Sequence, residues 1–227
     1  MKELTIRQLN RLADKPLFSV KDPVSALTHL IGFIASVVLT PLIFIKASYS
    51  ACTLADLIAL CVYRLSVSLL YAASTTYHTF ILPERPARIL KKFDHMSVFV
   101  MIAGTYTPVC LILMNRNTGI PLLMTVWSVA AVGMLVKAFW VYCPKYVSSI
   151  IYIAMGWAAL FKIKTIRTAL GPGAFTLLLT GGIFYTVGGI IYALKIRFND
   201  DWSEHEIFHL LILLGSLCHY ILIFTAV

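Results

Sequence analysis

The chain has 227 residues, 59% of them apolar and 13% charged, where soluble domains carry charge on about 25% of residues. A mean hydropathy of +0.85 excludes a water-soluble globule, since seven apolar stretches of ~20 residues leave room only for short connections and one polar arm. The formal charge of +9 does not point to nucleic acid, because the Lys and Arg are spread over connections between apolar runs, which is how membrane topology is encoded.

In chain order, residues 1–22 form a basic arm with Lys2, Arg7, Arg11, Lys15 and Lys21, without the apolar run of a cleaved secretory signal. Ile6, Leu9 and Leu12 recur in it at near-helical spacing, which fits a short helix on an anionic membrane face as well as a frayed basic tail. Seven spans are then expected at residues 24–45, 57–80, 96–113, 120–141, 147–163, 175–194 and 207–227. Together they predict one domain over 23–227, an all-α membrane protein built as a seven-transmembrane helix bundle. Breakers mark the connections: Pro83 and Pro86, Asn115 and Asn117, Pro144, and Gly171–Pro172–Gly173.

Counting Lys and Arg in alternate connections, with the N-terminus inside, gives 12 on the cytoplasmic side against 5 on the other. The positive-inside rule therefore predicts a cytoplasmic N-terminus and a C-terminus outside. Arg64 and Lys137 fall within spans; Arg64 either meets a polar partner or snorkels outward. The five cysteines, Cys52, Cys61, Cys110, Cys143 and Cys218, lie far apart with no CxxC. They read as small apolar packing residues.

Ionisable groups in or beside spans are costly in hydrocarbon and are by default functional candidates. His78 ends the second span, Asp94 and His95 open the third, and His205 and His209 open the seventh. The alternating direction of the spans brings all five to the cytoplasmic end. His205 and His209, four apart on one helix, share a face with Cβ atoms ~5–6 Å apart. His78 at the same depth would complete a three-histidine set with an open fourth position, as in catalytic zinc sites. Asp94 is then suited to hold or deprotonate a metal-bound water, and Ser74, one turn before His78, to orient the ring or the water. The same histidines could instead be interfacial residues or helix-to-helix hydrogen bonds. His219 lies ~15 Å beyond His209 along the helix, too far to share its metal, and is expected to make a polar contact. His29, with Asp22 and Ser25 before it, either lines the cavity or packs and hydrogen-bonds, the second being favoured. His95 is likewise taken as a structural polar contact.

These residues fall into a series of short motifs: Asp22-x6-His29, Ser74-Thr-Thr-Tyr-His78, Phe93-Asp-His-x-Ser-Val-Phe with Ala103-Gly-Thr-Tyr-Thr-Pro108, Met155-Gly-Trp157, Gly182-x-Phe-Tyr-x2-Gly188, and His205-x3-His209-x5-Gly215-x3-His219. In that order the chain, from Asp22 to Tyr220, resembles the hemolysin III family, the bacterial branch of the progestin and adipoQ receptor (PAQR) superfamily. The resemblance implies a multi-pass cell-membrane protein with seven helices. It also implies Zn2+ held by the residues matching His78, His205 and His209, and a water held by Asp94. A wider relationship to alkaline ceramidases implies hydrolysis of a lipid amide. The usual Glu and Asn of the first-span motif are here Asp22 and Ser25, which puts that motif's role in doubt.

Three functions follow as expectations. The first is a zinc-dependent hydrolase of a lipid amide or ester. The second is a membrane sensor or regulator in which zinc only clips helices together. The third, a pore-forming haemolysin, ranks last because the non-cytoplasmic halves of the spans are nearly uniformly apolar. A membrane lipid is the expected substrate or ligand.

Overall fold

In hydrocarbon a continuous apolar segment can satisfy its own backbone N–H and C=O groups only as a helix. The computed structural model describes residues 19–197 and 202–227, and the Ile6, Leu9 and Leu12 pattern of the basic arm lies outside them. Helix α1 spans Pro23–Ser48, α2 spans Leu54–Thr79, and α3 spans Glu84–Pro108 before a π-helical turn at Val109–Leu113. Helix α4 spans Arg116–Phe139. Helix α5, Lys145–Gly156, passes through a 3₁₀ turn at Trp157–Lys162 into α6, Ile163–Leu194; α7 spans Glu204–Ala226. No strand occurs among the described residues, and 6 helical stretches are long and apolar enough to cross a membrane.

Local chemistry sets the helix starts. Thr53 and Asp56 form a reciprocal capping box that opens α2, and Ser203 with Glu206 does the same for α7, each satisfying donors that the first turn leaves free. Pro23 occupies the first turn of α1, where its missing N–H costs nothing. Helix α3 begins twelve residues before the apolar span expected at 96, because hydropathy detects hydrocarbon while the basic segment around Arg88 and Lys91 is helical outside it.

The stretch Lys145–Leu194 is 50 residues long, which would reach ~75 Å as one straight helix against ~30 Å of hydrocarbon. It is bent at Gly171, whose φ of 71° and ψ of 173° suit glycine alone. The halves fold back on each other: Trp157 Nε1 donates to Thr186 Oγ1 at 2.8 Å, and Ile153 lies against Gly189. The connection expected between 163 and 175 is therefore helical on both sides of a single kinked glycine.

Each helix packs beside its chain neighbour, and α7 closes the bundle against α1. Small residues permit the closest approaches. A Cβ on Gly104 of α3 would collide with Ser66 Oγ of α2, and one on Gly133 of α4 would collide with the Phe99 ring of α3. Arg64, 3% exposed, is buried against polar partners. Its Nε donates to Thr40 Oγ1 at 3.0 Å and its Nη2 to the Ser36 carbonyl, while Tyr220 offers its ring face at 4.9 Å. Lys137, also buried, donates to Ser148 Oγ and Cys143 Sγ, so Cys143 is a hydrogen-bond acceptor in addition to packing.

Candidate metal centre

Three helix ends build the site. The segment before α1 is pinned to the end of α2 by Lys21 N–H donating to Thr79 O at 3.1 Å and Asp22 N–H donating to His78 O at 2.9 Å. Asp22, at the N-cap position of α1, makes no side-chain cap; its Oδ2 accepts instead from His78 Nδ1–H at 2.8 Å. A carboxylate and a backbone carbonyl can only accept, so the protons must sit on Nδ1 of His78 and Nδ1 of His209. The second of these donates to the Ser25 carbonyl at 3.3 Å. In the neutral form of each ring Nε2 is then the unprotonated nitrogen. On α7 the capping box places His205 in the first turn, with His209 one turn deeper.

The ligand atoms of His78, His205 and His209 all lie within 4.8 Å of one another, and the Nε2 atoms of His78 and His205 are 3.1 Å apart. Lone pairs converging in this way repel unless a cation or a shared proton lies among them. The donor set is all imidazole nitrogen, with Nδ1–H groups oriented by a carboxylate and a carbonyl, which fits zinc and does not fit magnesium or calcium. The cluster holds three such side chains, which leaves a tetrahedral ion one open position. The first-span motif thereby acquires a structural role, since Asp22 and the carbonyl of Ser25 orient two of the three imidazoles.

Asp94 and Ser74 lie at the same end. Both line a cavity of about 150 Å³ that begins at His205 and His209 and continues between α3, α5, α6 and α7 past Met101, Val109, Leu160 and Ile166. Its lining is mostly apolar. His95 also lines it, and its backbone carbonyl accepts from Tyr152 Oη–H at 2.8 Å. His219 lies deeper, its Nε2–H donating to Leu178 O at 3.2 Å. His29 faces the cavity and stacks on His209, with ring centroids 3.7 Å apart and planes within 12°. It packs, and neither of its ring nitrogens has a hydrogen-bond partner among the described residues. Sequence reasoning missed a deeper polar knot, Tyr71 Oη–H donating to Ser216 Oγ at 2.7 Å with Tyr185 Oη 3.0 Å from the same oxygen.

The sequence pattern described as Haemolysin-III related matches residues 19–220. The chain belongs to that family. It is 36% identical over 203 residues to a protein named Hemolysin-3 homolog from Bacillus subtilis (strain 168), covering 88% of this chain and 92% of that one. It is also 36% identical over 200 residues to Hemolysin-3 from Bacillus cereus, covering 88% of each. Family membership and six apolar helical stretches make it a multi-pass membrane protein of bacterial type.

Proposed function

We propose that this protein is a zinc-dependent hydrolase of a lipid amide or ester, crossing the cell membrane seven times with its histidine cluster at the cytoplasmic side. The fold-back at Gly171 supports seven crossings, because it divides the 50-residue stretch into two segments that each suit a bilayer. The excess of Lys and Arg at the histidine end supports the orientation.

The observation that carries the chemistry is the meeting of three imidazoles, Asp94 and Ser74 at the mouth of an apolar cavity. A zinc ion in the cluster would polarise a carbonyl oxygen and acidify water. The protein's own groups supply the rest. The apolar part takes the acyl chain and excludes water, leaving the lipid's carbonyl at the histidine end near the headgroup boundary. The Asp94 carboxylate takes the proton from the attacking water and returns it to the leaving amine or alcohol. The Ser74 hydroxyl holds that carboxylate in place.

The test is purified protein incubated with ceramides and related lipid amides and esters, with and without a zinc chelator, with products read by mass spectrometry. Chelator-sensitive release of fatty acid is expected. Asp94→Asn should retain zinc and fold while losing roughly 10²–10⁴-fold in rate. Folded, zinc-loaded protein with no chelator-sensitive product across the panel would transfer the zinc to a structural clip in a membrane sensor.

A further inference from the structure

His29 is 2% exposed and is the one described residue with two buried, unpartnered polar side-chain atoms, Nδ1 and Nε2. Two other buried polar side chains of its helix find partners: Thr28 donates to the carbonyls of Val24 and Ser25, and Ser36 to that of Phe33. The ring is fixed by contacts that use none of its nitrogens. One face lies on His209 at 3.7 Å, and Tyr71 meets it edge to face at 5.1 Å. A neutral imidazole offers one donor and one acceptor, and burying both without partners is expensive enough that a filled state is expected.

The position of His29 indicates what fills it. It lines the cavity together with Asp94 and His205, one helical turn, ~6 Å, beyond Ser25, whose carbonyl orients His209. It therefore stands between the histidine cluster and the apolar part of the cavity. A lipid with its carbonyl at the cluster and its chain among Met101 and Ile166 would carry its first few carbon atoms past this imidazole. An unsubstituted chain leaves both nitrogens bare. A hydroxyl there can donate to the unprotonated nitrogen or accept from the N–H.

We propose that His29 reads a hydroxyl group on the carbons next to the acyl carbonyl, so that the cavity prefers β-hydroxyacyl lipids to plain acyl lipids. This rests on the lipid reading of the cavity but not on turnover.

The probes are β-hydroxyhexadecanoic acid and hexadecanoic acid, titrated onto the full chain in nanodiscs. The hydroxy acid should bind about tenfold more tightly to the wild type, ~1.4 kcal/mol. His29→Phe keeps a flat ring against His209 and removes both nitrogens, so it should bring the two affinities within about twofold while metal content stays unchanged and the melting temperature does not fall. The wild-type comparison decides the matter even where that variant fails to fold. Equal binding of both acids to the wild type, or a preference that survives in folded His29→Phe, overturns this inference alone. Binding of neither acid overturns it together with the lipid reading.

Discussion

Replacing Asp22 by Ala removes one hydrogen bond from one candidate ligand and leaves the backbone link between Asp22 N–H and His78 O intact. Loss of a carboxylate that orients a metal-binding histidine typically weakens metal affinity 10–100-fold. Here the 2.8 Å bond to His78 Nδ1 is short, but the Asp22 side chain is 44% exposed and Lys21 Nζ lies 3.4 Å away. Water and that ammonium screen the carboxylate, which puts the effect at the lower end, about tenfold or ~1.4 kcal/mol. Asp22→Asn keeps an acceptor and loses the charge, so roughly threefold is expected. Zinc titration of the full chain in detergent against a competing chelator reads both values, with the melting temperature of the metal-free protein as control. Wild-type affinity in folded Asp22→Ala would refute the reasoning, because His78 would then need no partner to present Nε2.

Zinc at about one ion per chain should disappear in the His205→Ala/His209→Ala double variant and persist in His219→Ala, as measured by metal analysis; zinc retained in the double variant would remove these ligands from the account. Gly133→Ala drives a Cβ into the buried Phe99 ring and should cost about 1–3 kcal/mol, visible as a melting temperature lower by several degrees. A reporter fused after Val227 should behave as extracytoplasmic, and activity in a cytoplasmic reporter there would reverse the proposed orientation.

Much of this arrangement could be read from the residues because bilayers impose few solutions. Apolar length alone located α1, α2, α4 and α7, and the four-residue spacing of His205 and His209 put both on one helix face. Topology then brought His78 to the same end. Other features depend on quantities that side-chain letters do not carry. The acceptor that orients His209 is the backbone carbonyl of Ser25, and Asp22 serves His78 by forgoing the cap its position suggests. Whether Arg64 or His29 faces inward depends on helix rotation, and uniformly apolar spans give rotation almost no signature. The single kink at Gly171 was hidden because Gly171–Pro172–Gly173 also spells an ordinary loop.

Helices α1 and α7 are joined at successive heights. Ser25 meets His209 at one end, Leu39 accepts from Tyr220 Oη–H at 3.0 Å further along, and Lys46 and Ser50 donate to the carbonyls of Phe224 and Val227 at the other. Two rods fastened at three levels can neither slide nor swivel against each other without breaking several hydrogen bonds at least partly shielded from solvent. The wall bearing His205, His209 and His29 is thus a stiff frame. The facing wall has a short α5, a 3₁₀ turn and a bent glycine, backbone with fewer regular bonds to lose. Volume needed to admit a guest is obtained most cheaply on that side, so the imidazoles keep their registration while the compliant wall gives way.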